Sequence, residues 1–140
     1  MEEVIHYLEL KNQYYEKFYN LTQKFLQLAE DKRWNDVELF VDNRERILSI
    51  IRSYDFKIAE VFEQIDVTQV DLNLYRTRVH SLLESRKSWV DKIVALDLEL
   101  ISKVEDMKSE TIKELKKTVE THNQINSFKD TILPFKRKEA

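Results

Sequence analysis

Glu3-Val4-Ile5-His6 places a carboxylate and an imidazole three residues apart, the spacing that di-metal carboxylate bundles use on each of two helices. Such a centre needs a second Glu-x-x-His and two further inward carboxylates. Neither His80 nor His122 has a glutamate three residues before it, so no metal site and no cofactor is expected. The 140 residues contain no cysteine, which removes zinc–thiolate sites, disulfides and thiol nucleophiles. They also contain no glycine, where roughly ten would be average. Dinucleotide fingerprints, P-loops and the usual oxyanion loops all need glycine and are therefore excluded. No Ser-His-Asp grouping is discernible. Asp97 is the carboxylate in the most unusual setting, because it interrupts the apolar run Ile93-Val94-Ala95-Leu96-Asp97-Leu98-Glu99-Leu100-Ile101. Acid–base catalysis there would need a second titrating group and a cleft. An ion pair with a basic residue such as Arg44, or a position at the edge of a packed seam, accounts for Asp97 without chemistry. The chain is expected not to be an enzyme.

The elements that position these residues are helices. The only proline is Pro134, so nothing before it forbids helix. Apolar residues make up 42% and charged residues 35%, a mixture suited to amphipathic helices around one core. Tyr14, Phe18, Leu21, Phe25 and Leu28, with Ile5 and Leu8 upstream, recur at three- and four-residue steps and predict a helix over about 3–30. Val37, Phe40, Arg44, Ile47, Ile51, Tyr54, Ile58, Val61 and Ile65 form a heptad seam over about 35–65, with Arg44 its one violation. An arginine on that seam should reach a carboxylate or extend to its edge. Leu72 to Met107 keep the same rhythm and predict a third helix over about 69–118, with Ser88-Trp89-Val90-Asp91 as a possible break and an unbroken phase favouring one helix. Ile125, Phe128, Ile132 and Phe135 predict a short fourth helix over about 122–133. It would open at Thr121-His122-Asn123-Gln124 and close at Pro134, before a frayed tail, 134–140. Without glycine, the turns are assigned to capping pairs: Asn35 with Glu38, and Thr68 with Asp71. Short connections make neighbouring helices antiparallel. The expectation is a single all-α domain, an up-down antiparallel bundle of three long helices plus a short C-terminal one.

There are 23 basic and 26 acidic residues, a formal charge of −3, too balanced for a dedicated nucleic-acid binder. No apolar run approaches a membrane span and the start Met1-Glu2-Glu3 is unlike a signal peptide, so a cytoplasmic protein without membrane contact is expected.

What remains is surface for another protein. Between Trp89 and Val104 the third helix carries two apolar stripes, one of Trp89, Ile93, Leu96 and Leu100, the other of Val90, Val94, Leu98 and Ile101. Burial between both neighbouring helices explains them, and so does a groove for an amphipathic partner helix. Trp89, Val94, Leu98 and Ile101 are the candidate binding residues. Ile125, Phe128 and Ile132 of the short helix are candidates for masking that groove until a partner displaces them.

Several of these features resemble the FliT-type flagellar export chaperones over about residues 10–120. Leu28-Ala29-Glu30 followed by Trp34-Asn35-Asp36-Val37 is similar to the family's first turn, although Lys32 and Arg33 stand where the family has glycine. Asn43-Arg44-Glu45-Arg46-Ile47-Leu48 is similar to its second helix, and Ile93-Val94-Ala95-Leu96-Asp97 to the apolar-then-Asp signature of its third. The resemblance implies a non-enzymatic chaperone that holds the C-terminal helix of the filament-cap protein for type III export. It also implies contacts with the export ATPase or export gate, controlled by the fourth helix. The alternative is a spectrin-like or coiled-coil structural module with no releasable client.

Overall fold

The computed structural model describes residues 1–32, 36–66 and 68–139, with side chains to residue 127. The described residues are all-helical: α1 spans Glu2–Glu30, α2 spans Val37–Gln64 and α3 spans Leu72–Glu139. Packing divides the chain into two units, Met1–Ile101 and Ser102–Ala140.

In the first unit the three helices alternate in direction. Along α1 and α2 the contacts run in opposite order: Val4 and Leu8 meet Ile58, Val61 and Ile65, Lys11 meets Asp55, and Phe25 stacks on Phe40. Along α1 and α3 they run in the same order, from Glu9 with Arg78, through Asn12 with Leu82, to Tyr19 with Trp89. Val4, Leu8 and Leu82 make one core cluster, lined by Met1, Ile5, Ile58, Val61, Ile65 and Val79.

The α2 seam lies inward as its spacing predicts, with Phe40 and Ile51 buried. Of the expected α1 seam, Leu8, Phe18 and Phe25 are buried and Ile5, Tyr14, Leu21 and Leu28 half-buried. The burial extends to one side of it, where Val4, Lys11, Thr22, Leu26 and Ala29 are buried as well. Lys11 and Thr22 are polar, so an apolar pattern passes over them. They are tolerated because they are paired: the Lys11 ammonium meets the Asp55 carboxylate, and the Thr22 hydroxyl donates to the Phe18 carbonyl at 3.1 Å. Asp55 is largely exposed, so the pair is half in water and the Lys11 stem supplies most of the packing. Replacing Lys11 by Met should therefore change unfolding free energy by less than about 1 kcal/mol in urea titrations, while Lys11→Glu, which buries a charge facing Asp55, should cost several times more.

Of the two expected capping pairs, Asn35 with Glu38 rests on a residue outside those described, and Thr68 with Asp71 is arranged differently. Trp34 and Asn35 lie outside the described residues, as does Val67. At the end of α1, Lys32 takes a left-handed backbone with φ 58, and its N–H reaches the Ala29 carbonyl at 3.0 Å. This is the position that a helix C-terminus reserves for glycine. A side chain with a Cβ is strained there by about 1–2 kcal/mol, partly offset by the smaller entropy of the unfolded lysine. Lys32→Gly should thus raise stability by about 0.5–1 kcal/mol, read as a higher melting temperature; a fall would show that the lysine side chain itself holds the turn. Before α3, Thr68 does not act as the cap. Its N–H and hydroxyl donate to Asp66 Oδ1 at 3.0 and 2.6 Å, a local turn that holds the Asp66 carboxyl below its ordinary pKa. The cap is Asp71, whose Oδ1 accepts the Asn73 N–H at 3.1 Å.

The C-terminal expectation is corrected most. α3 passes without interruption through Ser85–Ser88, through Thr121–Gln124 and through Pro134 to Glu139. There is no separate fourth helix over 122–133 among the described residues. A capping-box sequence ends a helix only where the apolar phase or a breaker also demands it, and Thr121-His122-Asn123-Gln124 contains neither glycine nor proline. Pro134 removes one hydrogen bond to the carbonyl four residues earlier, and only the last turn of helix follows it.

Candidate protein-binding face

Arg44 is where the three helices of the first unit are tied. Its Nη1 and Nη2 donate to Asp97 Oδ1 and Oδ2 at 3.0 and 3.2 Å, a two-pronged fit between planar groups. Nη1 also donates to the Thr22 hydroxyl at 3.3 Å. The guanidinium carbon lies 4.4 Å from the centre of the Phe18 ring and 5.5 Å from that of Phe40. Phe40 is itself stacked on Phe25, ring centres 3.9 Å apart and planes 8° from parallel. The residues that break the apolar rhythm of α2 and α3, Arg44 and Asp97, are thus each other's partners. Their place in the site is to fix the rotation of α3 against α1 and α2.

A second polar cluster ties α1 to α2. Tyr54 packs against Tyr7 and Tyr14, with ring centres 5.9 and 5.8 Å away. Burial, then the neighbouring Tyr14 hydroxyl and its hydrogen bond, push the Tyr54 pKa above its ordinary value. Lys17 covers the Tyr14 ring, and Lys57 lies near those of Tyr7 and Tyr54. No group of three or more metal-ligating side chains occurs among the described residues, and His6 stands beside the Tyr7 ring.

With α3 held in this rotation, its two sequence stripes separate. Ile93, Leu96 and Leu100 are half-buried, and Trp89 packs against Tyr19 with ring centres 5.8 Å apart. Val94, Leu98 and Ile101 remain 53%, 64% and 54% exposed. The four candidate binding residues are therefore not one patch: Trp89 belongs to the packed side and the other three to the open side. At 100° per residue Val94, Leu98 and Ile101 fall on a single line along α3. Of the candidate masking residues, Ile125 is in α3 and exposed, while the side chains of Phe128 and Ile132 lie outside those described.

Sequence reasoning passed over other exposed apolar residues in each unit. Ile112, Leu115 and Val119 are 52%, 59% and 57% exposed, and they follow the same three-and-four step in the second unit. Their signal was readable, but polar residues between 105 and 111 divide it from the earlier stripe. On α2, Phe56 and Phe62 are exposed large apolar residues off the seam. No described helix is long and apolar enough to cross a membrane. Comparison with protein-family models, with curated proteins and with solved structures finds no match.

Proposed function

We propose that this chain is a non-enzymatic helical chaperone that holds an amphipathic helix of a client protein on the open stripe of α3. The observation that carries the reading is the exposure of Val94, Leu98 and Ile101 at i, i+4 and i+7. Three large apolar side chains in that register match the anchors of a helix-in-groove interface. Their helix is fixed in rotation by the Arg44–Asp97 pair, so the stripe is presented in one orientation. The resemblance of the Asn43–Leu48 and Ile93–Asp97 segments to FliT-type export chaperones favours a filament-cap-like client, with the export ATPase or gate as further partners, all in the cytoplasm. A bundle with alternating helix directions is the frame this reading needs. The masking role once assigned to a separate fourth helix is not part of it.

The unbroken helix of α3 favours a second reading, a coiled-coil structural module. Fluorescence anisotropy separates the two. The labelled C-terminal helical peptide of the filament-cap protein from the same genome should bind the full chain. Leu98→Glu with Ile101→Glu should weaken binding by about 100-fold or more, since each lost apolar contact is worth about 1.5–3 kcal/mol. Unchanged affinity in the double variant moves the site elsewhere, and no binding by the native chain leaves the structural module.

A further inference from the structure

Three cations tie helices of the first unit together through carboxylates: Lys11 with Asp55, Arg44 with Asp97 and Arg78 with Glu9. Three others are gathered in one place without such partners. α1 and α2 leave a groove of about 430 Å³ between them, lined by the exposed cations Lys17, Lys24 and Arg46 and by the amides of Asn20 and Asn43. Half-buried Leu21 and Ile47 form its floor. None of the three cations is in an ion pair among the described residues. Lys17 rests instead against the Tyr14 ring, 4.5 Å from its centre. Among the described residues, no carboxylate and no residue of α3 lines the groove. Asp36 lines a smaller pocket that shares Lys24, and Asp42 and Glu45 line a neighbouring groove that shares Arg46.

The surrounding sequence makes this unusual. Residues 1–66 carry 9 basic and 14 acidic side chains, a formal charge of −5. A groove lined by cations alone is a local reversal of sign against that background. Like charges around one groove repel one another, and an anionic occupant removes that cost. Spacing decides what kind of anion fits. Lys17, Leu21 and Lys24 stand at i, i+4 and i+7 on α1, so the two lysines are about 10 Å apart along the axis. A single phosphate or carboxylate is too small to span them, and it leaves Leu21 and Ile47 uncovered. A helix with acidic residues two turns apart and an apolar residue between them repeats the α1 pattern with its charges reversed. Two antiparallel helices offer such a helix a groove to lie in, as in a four-helix bundle.

We propose that the groove between α1 and α2 binds an acidic amphipathic helix of another protein. Carboxylates two turns apart on that helix meet Lys17 and Lys24, Arg46 closes on it from α2, and its apolar side chain covers Leu21 and Ile47. Charge complementarity carries the choice of occupant, and the apolar floor carries the choice of a helix over a bare anion. The groove shares no residue with the open stripe of α3, so this inference does not rest on the client reading.

The test is fluorescence anisotropy on the full chain with a labelled alanine-based helical peptide that carries Glu, Leu and Glu at i, i+4 and i+7. The native chain should bind it with a Kd below about 100 μM at low salt, weakening as salt rises. Lys24→Glu with Arg46→Glu should weaken binding by about tenfold or more. Both side chains are exposed, so the fold should be retained, which circular dichroism and the melting temperature check. The same peptide with Lys in place of both Glu should bind the double variant and not the native chain. No binding of the acidic peptide up to about 1 mM, or equal binding by the double variant, overturns the inference. So does a peptide with Ala in place of Leu that binds as well as the first, or full displacement by equimolar pyrophosphate, because either outcome shows a bare anion site. Self-association of the native chain that the double variant abolishes would put a second copy in the groove and overturn it too. Leu98→Glu with Ile101→Glu should leave binding of the acidic peptide unchanged, and its loss there would move that peptide to the α3 stripe. Filament-cap peptide binding without acidic-peptide binding removes this inference and keeps the proposed function, and the reverse result does the opposite.

Discussion

Arg44→Ala should lower the unfolding free energy by about 3 kcal/mol, measured by urea denaturation, and the melting temperature by roughly 10 °C for a chain of this size. Three losses combine. The carboxylate of Asp97, whose side chain is only 33% exposed, is left without its partner. The Thr22 hydroxyl loses a donor, and the faces of Phe18 and Phe40 lose the cation above them. Partial exposure places the value at the low end of the range for buried pairs. Asp97→Asn should cost less, because an amide still accepts a hydrogen bond from the guanidinium. Arg44→Met with Asp97→Leu should recover most of the loss, since the pair would be replaced by packed apolar volume. A double-mutant cycle on Arg44→Ala and Asp97→Ala should give a coupling of about 1–2 kcal/mol. Additive effects would mean that the two side chains act separately and that α3 is positioned by other contacts.

Phe18→Ala should be more costly still, about 3–5 kcal/mol. Phe18 is buried on α1 and supports the guanidinium of Arg44 from below, so its removal opens a cavity and loosens the ion pair together. Phe18→Leu, which fills most of the volume but offers no ring, should fall in between. The difference between the two variants isolates the ring's share. That share should disappear in an Arg44→Met background, where no cation remains for the ring to attract. An unchanged difference there would assign the whole effect to volume.

How far the sequence foretells this molecule depends on whether a residue obeys the apolar rhythm or breaks it. The α2 seam obeys it, and every member from Val37 to Ile65 is at least half-buried. Arg44 and Asp97 break two seams at once. Because each exception must be satisfied, the pairing could be anticipated from composition and spacing. Lys11 and Thr22 occupy the α1 seam without any local sign, since their partners Asp55 and Arg44 are far away in sequence. The separate fourth helix is expected from the steps of Ile125, Phe128, Ile132 and Phe135, and only a capping-box match divides it from α3. Such matches are satisfied as easily inside a helix when no glycine or proline intervenes. Lys32 shows the opposite case: nothing in its own spacing marks it, and its φ of 58 is the backbone that glycine would relieve. The open stripe was legible in part. Periodicity groups Val94, Leu98 and Ile101, but only packing separates Trp89 from them, because that depends on the rotation Arg44 imposes.

The proposed docking of another helix on the open stripe of α3 can be read directly in solution. Carbene footprinting of the full chain, alone and with saturating filament-cap peptide, measures this residue by residue. Labelling of Val94, Leu98 and Ile101 should fall severalfold with peptide, while Phe56 and Phe62 on α2 stay equally labelled. Protection centred on Phe56 and Phe62, with the α3 stripe unchanged, would contradict the account.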